Sequence, residues 1–176
     1  NIIKNYDKKI KFIVAGSSLM FQKKNGIVNE KSKFKQSNFY SKYKIHSHKL
    51  LIKFKEKYNL NASTVILFNH DSIYRNKKFL IPRLIKLVRN KDFKRLQEIY
   101  NENISGDFSH ADDICNGLFK LINTKKNPDK LIFSSNKRTN INDIIKYLLK
   151  INKLKNFLNF KASKKTPSSI GDNSLT

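Results

Sequence analysis

The fold is decided by the stretch IKFIVAGSS, residues 10–18, an apolar run that ends in small side chains. A second run of this kind is NASTVILF, residues 61–68, which is rich in β-branched residues. Short apolar runs of this composition are typical of strands buried on both faces of a parallel sheet. A third short strand is predicted at residues 131–135, so the sequence indicates a parallel sheet of at least three strands.

Segments with helical periodicity lie between these strands. The spacing predicts a helix over residues 39–58, and its apolar positions are expected to face the core: Tyr43, Leu50, Leu51, Phe54 and Tyr58. Further helices are predicted at 80–88, where Pro82 lies near the start, at 110–122, and after the capping residue Asn140. Residues 22–37 are polar and predict a loop. Strands that alternate with helices indicate an α/β fold.

The composition limits the class of protein. A chain of 176 residues with 39% hydrophobic residues can bury one ordinary core, and a single cysteine excludes a disulfide framework. Cys115 is expected to be small and buried, whereas His46 and His48 are expected on one solvated helix face. No apolar run has the length of a membrane span, so we expect a cytoplasmic protein without membrane contact.

The net charge of +24 raises the question of nucleic acid as a partner. The chain holds 32 lysines and 5 arginines, however, and arginine is the residue that base and phosphate recognition favours. Lysine is also spread evenly along the sequence. We therefore expect no specific nucleic-acid binding, with a functional electrostatic surface for polyanions as the alternative.

Polar residues at strand ends are the candidates for chemistry, because ligands of open α/β sheets bind beside the carboxyl ends of the strands. Ser17 ends the first strand, and Asn69 and His70 follow the second. Tyr40 and Lys44 are one helical turn apart and share a helix face. A tyrosine that moves a proton near neutral pH needs a neighbouring cation, and Lys44 is placed to supply it.

The candidate residues lie in segments whose sequence and order along the chain match those of a known family. The segments AGSSLMF at 15–21, YSKYK at 40–44, ILFNHDS at 66–72 and GDFSHADD at 106–113 resemble the extended short-chain dehydrogenases, and most closely the GDP-mannose 4,6-dehydratases. The resemblance implies a Rossmann-type sheet with a small substrate-binding portion. It also implies an NADP-dependent, or NAD-dependent, enzyme that removes water from a nucleotide sugar.

The resemblance assigns roles to individual residues. Ser17 stands where the family binds the sugar hydroxyl, Tyr40 where it has the catalytic tyrosine, and Lys44 where it has the lysine that contacts the cofactor ribose. Asn69, Arg75 and Arg83 match positions that contact the sugar nucleotide. His70 is a further candidate for the cofactor, and the alternative for it is a structural hydrogen bond.

The sequence also departs from the family. The chain has no cluster of the form GxxGxxG, which in the family cradles the cofactor pyrophosphate. Leu19 replaces the glutamate that removes the sugar C5 proton, and Gly106 replaces an arginine that binds the diphosphate. We expect residues 1–160 to form the C-terminal part of the enzyme fold, followed by a weakly ordered tail at 161–176. Cofactor binding then requires the missing half, from another chain or a longer precursor.

Three functions stay open at this point. The first is an impaired dehydratase fragment whose partners are a nucleotide sugar, an N-terminal half and, as an option, a second copy of the chain. The second is a 4-epimerase or 4-keto reductase of the same superfamily, since these reactions do not need the glutamate that Leu19 replaces. The third is a non-catalytic basic binding remnant.

Overall fold

The computed structural model describes residues 10–21, 26–154 and 169–171, with side chains described for all but 169 and 170. The strands are β1 (Phe12–Ser17), β2 (Gly26–Val28), β3 (Ala62–Leu67), β4 (Asn69–Asp71), β5 (Ser105–His110), β6 (Lys130–Phe133), β7 (Arg138–Asn140) and β8 (Ser169–Gly171). The helices are α1 (Phe39–Tyr58), α2 (Leu80–Arg89), α3 (Phe93–Glu102), α4 (Ala111–Asn123) and α5 (Ile141–Ile151). A 3₁₀ turn, Ser18–Met20, follows β1 directly.

The main sheet is parallel and has the strand order β1-β3-β6. Two hydrophobic clusters show that it is covered on both faces. Ile45 of α1 packs with Ile66 and Ile132 on one face, and Ile114 and Leu121 of α4 pack with Val65 on the other. Burial on both faces explains why β3 is apolar almost throughout. The predicted α/β class is confirmed.

A second portion lies beyond the carboxyl end of β3. It contains a small mixed sheet of order β4-β5-β7, in which β5 is parallel to β4 and antiparallel to β7. Three helices, α2, α3 and α5, share a separate core in which Leu84, Leu96, Tyr100 and Ile145 are almost fully buried. Strand β2 pairs with β8 in parallel.

Helix α1 has the predicted bounds, but its buried face is different from the predicted one. Ser41, Ile45, His48 and Leu51 are buried against the sheet. Of the residues that were expected in the core, only Leu51 is there, and Tyr43, Leu50 and Phe54 are exposed. The helix carries two apolar stripes, and periodicity alone does not show which one packs.

Two single-residue expectations are wrong for related reasons. His48 is buried rather than solvated, because its Nδ1 lies 2.9 Å from Thr64 Oγ1 and its ring meets Phe34 edge-on. Cys115 is exposed rather than buried, since the sheet-facing side of α4 is formed by Ile114 and Leu121. The region predicted as a loop includes the short strand β2. Most of the predicted tail lies outside the described residues; positions 169–171 form β8.

Candidate active site

The carboxyl end of β1 brings three of the predicted residues together. Ser17 is the last residue of the strand, and its Oγ accepts a hydrogen bond of 3.2 Å from the Leu19 amide. Lys44 Nζ donates to the carbonyl oxygen of Ala15 at 2.8 Å. Tyr40, half exposed, has its ring centroid 5.6 Å from Lys44 Nζ. The spacing of Tyr40 and Lys44 on α1 therefore places a phenol and an ammonium beside this strand end.

The start of α1 explains why Tyr40 and Lys44 are held there. Asn38 caps the helix by accepting a hydrogen bond of 2.8 Å from the Ser41 amide, and Ser41 Oγ in turn accepts one from the Asn38 amide at 3.0 Å. Such a reciprocal capping pair fixes where a helix begins. Ser41 is fully buried, so the first turn is anchored to the protein and Tyr40 occupies a defined position beside it.

The residues after β3 are tied to one another and to β5. Asn69 Nδ2 donates to the Asp107 carbonyl oxygen at 3.0 Å. His70 Nδ1 lies 2.9 Å from the Phe68 carbonyl oxygen, which is the structural hydrogen bond considered from the sequence. Arg75 Nη1 donates to the His70 carbonyl oxygen at 3.0 Å, and its guanidinium stacks 3.8 Å above the Phe79 ring. These contacts fix the segment that carries Asn69.

Arg83 lies apart from this group. It is exposed on α2 and lines a cavity of about 650 Å³ between α2 and α3, together with Lys77, Lys78 and Lys86. Neither Asn69 nor Arg75 lines this cavity. The lining also includes Asp92, Glu98 and Glu102, so the depression carries charges of both signs. Arg83 thus lies apart from the segment that holds Asn69 and Arg75.

Asp107 is a buried residue that the sequence analysis did not single out. Its Oδ1 accepts hydrogen bonds of 2.7 Å from both the amide and the hydroxyl of Ser135, and its Oδ2 accepts one of 3.4 Å from the Gly171 amide. Because its carbonyl oxygen also accepts from the Asn69 side chain, Asp107 links β5 and the segment after β6 to Asn69. No local pattern in the sequence marks Asp107, because its partners lie on remote segments.

A cavity of about 370 Å³ lies beside this network, at the ends of β5 and β6 and the start of α4. Its lining includes Ser109, His110, Asp113 and Phe133. His110 caps α4, because its Nδ1 accepts a hydrogen bond of 3.3 Å from the Asp112 amide. The described residues contain no group of three or more His, Cys, Asp or Glu side chains that could hold a metal ion.

Leu19 and Gly106, two of the departures from the family pattern, both lie among the described residues. Leu19 lies in the 3₁₀ turn after Ser17 and is 37% exposed, so an aliphatic side chain stands at the position for which the sequence resemblance implies a glutamate base. Gly106 is buried in β5, and a Cβ atom there would lie 2.9 Å from the Phe108 ring and 3.3 Å from Asn69 Nδ2. Any side chain at position 106 would therefore require the Phe108 ring to shift.

The fold places the chain in a known structural class. It superposes on UDP-glucuronic acid 4-epimerase from Bacillus cereus in complex with NAD, with a TM-score of 0.77 and 22% identity over 96% of this chain and 54% of that one. It also superposes on dTDP-glucose 4,6-dehydratase from Bacillus anthracis in complex with NAD, with a TM-score of 0.79 and 14% identity over 99% of this chain and 56% of that one. The fold is that of the extended short-chain epimerases and dehydratases.

Within that class, the chain belongs to the GDP-mannose 4,6 dehydratase family, whose model matches residues 1–170. The GDP-mannose 4,6 dehydratase of Drosophila melanogaster is 26% identical over 72% of this chain and 33% of its own length. The corresponding figures for that of Dictyostelium discoideum are 26%, 72% and 36%. The chain therefore spans about a third of these relatives and just over half of the solved structures. No helix among the described residues has both the length and the apolar character needed to cross a membrane.

A nicotinamide cofactor is the group that this fold implies. The end of β1 suits the nicotinamide and its ribose, because it presents the half-exposed Tyr40 and the Lys44 ammonium side by side. The pyrophosphate needs a glycine-rich turn at a helix N-terminus. The five glycines of the sequence are scattered over positions 16, 26, 106, 117 and 171. The residues of this chain therefore fit one end of the cofactor and not the other.

Proposed function

We propose that this chain supplies the substrate side of an NAD(P)-dependent enzyme that acts on a nucleotide sugar, with GDP-mannose as the substrate and 4,6-dehydration as the ancestral reaction. The observation that carries the proposal is the position of Tyr40 and Lys44 beside the end of β1, in a chain of this family. The remaining strands of the sheet and the glycine-rich turn come from outside the 176 residues. Without them we expect the chain to be inactive.

Each residue of the site has a defined task in this proposal. The Ser17 hydroxyl, which accepts from the Leu19 amide and still has its own proton to donate, orients the sugar 4-hydroxyl. Tyr40 Oη takes the proton of that hydroxyl while the C4–H bond breaks. The cofactor, when bound, supplies the acceptor for the hydride that leaves C4. Lys44 holds the cofactor ribose, and Asn69 and Arg75 bind the sugar nucleotide.

Leu19 favours a second candidate within the same class, a 4-epimerase or 4-keto reductase. Both of these reactions require proton and hydride transfer at C4, which Ser17, Tyr40 and Lys44 can support. Dehydration needs in addition a base for the C5 proton, and the side chain of Leu19 has no lone pair to accept it. Loss of a general base costs about 10²- to 10⁴-fold in rate, so Leu19→Glu is expected to raise 4-keto-6-deoxy product by part of that factor.

The experiment is a complementation. The chain is produced together with an amino-terminal fragment of the Dictyostelium relative that carries the glycine-rich turn, and NADP binding and turnover of GDP-mannose are measured. We expect no micromolar NADP affinity for the chain alone, and affinity once the fragment is present. Turnover of GDP-mannose to any 4-keto product or epimer would support the proposal, and its absence in a complex that binds NADP would favour the non-catalytic alternative.

The sequence offers a matched control for Tyr40. Tyr74 and Lys78 have the same spacing as Tyr40 and Lys44, but Tyr74 is 89% exposed and precedes α2. In the complemented enzyme, Tyr40→Phe should lower kcat by about 10²-fold or more, because the proton acceptor is lost. Tyr74→Phe should leave kcat unchanged. Equal effects of the two substitutions would refute the role assigned to Tyr40.

A further inference from the structure

A cavity of about 510 Å³ lies at the end of the main sheet that is opposite the candidate active site. Its lining includes Lys130 and Leu131, the first two residues of β6, and Lys120 and Leu121 from the last turn of α4. The candidate active site is at the carboxyl end of β1, whereas this cavity is at the amino end of a parallel strand of the same sheet. The two sites therefore share no residue.

The deeper part of the cavity wall is apolar. Leu121 and Leu131 are 5% and 7% exposed, and both belong to the cluster that packs α4 on the sheet. Pro128 adds its ring from the loop between α4 and β6. A volume of this size is within the range of small-molecule sites. Such a wall favours a ligand with an apolar body, because burial removes the apolar surface of both from water.

The charged residues that line the cavity are all lysines: Lys120, Lys126 and Lys130. The Lys130 ammonium is occupied elsewhere, since its Nζ lies 4.5 Å from the centroid of the Phe34 ring. Lys120 and Lys126 are exposed, and no carboxylate of the described residues forms an ion pair with either. These two side chains are thus the cations that the rim of the cavity offers to a ligand.

An acid in the same loop does not oppose them. Asp129 follows Pro128 but does not line the cavity, and its Oδ1 lies 2.7 Å from Lys55 Nζ. Its charge is therefore offset by a cation from α1. The rim presents positive charge, and a ligand with a negative head group complements it.

The end of a helix normally repels an anion, because its last carbonyl groups and the helix dipole are negative there. At α4 this effect is offset by Lys11. Its Nζ donates to the carbonyl oxygens of Leu121, Thr124 and Lys126 at 2.7, 2.8 and 2.8 Å. All three of these residues line the cavity. Their oxygens are thus paired with an ammonium group that lies beside the site.

We infer that this cavity binds a small amphipathic anion, which is an apolar chain with a single carboxylate or phosphate head. The chain packs against Leu121, Pro128 and Leu131, and the head lies near Lys120 and Lys126. Inorganic phosphate alone would leave the apolar wall in contact with water, and a neutral hydrocarbon would not use the lysines. The site does not depend on the proposed function.

The probes are decanoate and decyl phosphate, which are titrated calorimetrically into the full chain below their micelle concentrations. We expect saturable binding, and the ratio of the two affinities tells which head group the site prefers. Decylammonium has the same chain with the opposite charge and should bind at least about tenfold more weakly at low salt. Octanoate should bind about tenfold more weakly than decanoate, because each buried methylene strengthens binding about fourfold.

Substitutions locate the binding. Lys120→Glu and Lys126→Glu should each weaken decanoate binding by about fivefold or more. Lys94→Glu is the matched control, because it changes the net charge equally at an exposed position on α3, and it should leave binding unchanged.

Thr124→Phe tests the apolar part of the site. The substitution adds a ring at the cavity wall and should remove most of the advantage of decanoate over octanoate. Circular dichroism checks that each variant keeps its helix content. If Thr124→Phe unfolds the chain, the comparison of Lys126→Glu with Lys94→Glu decides whether the cavity is the binding site.

Four results would overturn the inference. They are equal binding of decylammonium and decanoate, no saturable binding of either anion, equal losses in Lys94→Glu and Lys126→Glu, and dimers in sedimentation that Thr124→Phe abolishes. The third result would mean that only the net charge of +24 attracts the anion. The fourth would make a second copy of the chain the occupant of the cavity.

Discussion

The two edges of the parallel sheet differ in whether other segments of the chain bond to their outward backbone groups. At the β6 edge, the Ile132 amide donates to Glu30 Oε1 at 2.8 Å, and Ser134 Oγ donates to the Gly171 carbonyl oxygen at 3.0 Å. These contacts come from segments about 102 and 37 residues away along the chain. Because the Glu30 carboxylate occupies the outward Ile132 amide, another strand cannot easily pair with this edge at that position.

The β1 edge is open by comparison. The Phe12 amide donates to the Asn61 carbonyl oxygen, so even-numbered residues of β1 face β3 and Ile13 and Ala15 direct their backbone groups outward. Within the part of the chain that the structure describes, no strand pairs on that side. The Ala15 carbonyl oxygen accepts from Lys44 Nζ instead. We read the β6 edge as the end of the sheet and the β1 edge as the place where it continues.

The largest effect expected from this difference is a contrast between two neighbouring prolines. Val14→Pro removes an amide that bonds to β3, and we expect it to cost about 3 kcal/mol or more in the free energy of unfolding. Ala15→Pro removes an amide that points outward and should cost about 1 kcal/mol or less, as proline does at sheet edges. Urea unfolding measures both. Equal losses would show that β1 has no open edge.

The closed edge gives an intermediate effect. Glu30→Ala removes the carboxylate that accepts from the Ile132 amide and is expected to cost about 1.5–3 kcal/mol, the range for a hydrogen bond to a charged group. Glu30→Gln keeps an acceptor at the same place and should cost about 1 kcal/mol or less. Urea unfolding of the two variants compares them. If Glu30→Ala is neutral, Glu30 does not protect this edge.

The smallest expected effect is a pH dependence near the closed edge. Burial, together with the nearby Lys130, lowers the pKa of His48, and Asp129 opposes this shift only in part. The folded state then takes up a proton at lower pH than the unfolded state, whose histidine pKa is about 6.5. Stability is therefore complete above pH 6.5 and falls as the pH drops through and below that value.

Urea midpoints across this pH range measure the effect, and His48→Gln is the matched control because it retains a polar partner for Thr64. We expect the slope of stability against pH to be shallower in that variant. An unchanged slope would assign the acid sensitivity to another group.

The sequence predicted an element correctly where a single local pattern determines it. The runs at 10–18 and 61–68 become β1 and β3, and Asn140 caps α5 by accepting a 2.8 Å hydrogen bond from the Asn142 amide. It missed α3, whose sequence FKRLQEIYNE is mostly polar and buries only Leu96 and Tyr100 fully. It also missed strands of three residues, such as β4, since these exist only through their pairing with distant segments.

The same limit applies to the candidate site. The i, i+4 spacing predicted that Tyr40 and Lys44 lie together, and they do. The role of Asp107 could not be predicted, because its partners Ser135 and Gly171 are 28 and 64 residues away. The burial of His48 likewise depends on Thr64, which another element supplies. Contacts between remote segments have no periodic signature in the sequence.

The most direct test of the account is amide hydrogen exchange on the two edges, with and without the amino-terminal fragment of the Dictyostelium relative. In the chain alone, the Ile13 and Ala15 amides should exchange fast while the Ile132 amide is protected. With the fragment bound, protection at Ile13 and Ala15 should rise by about 100-fold or more and Ile132 should not change. Binding of the fragment and NADP with no added protection at Ile13 and Ala15 would contradict the claim that the sheet continues at β1.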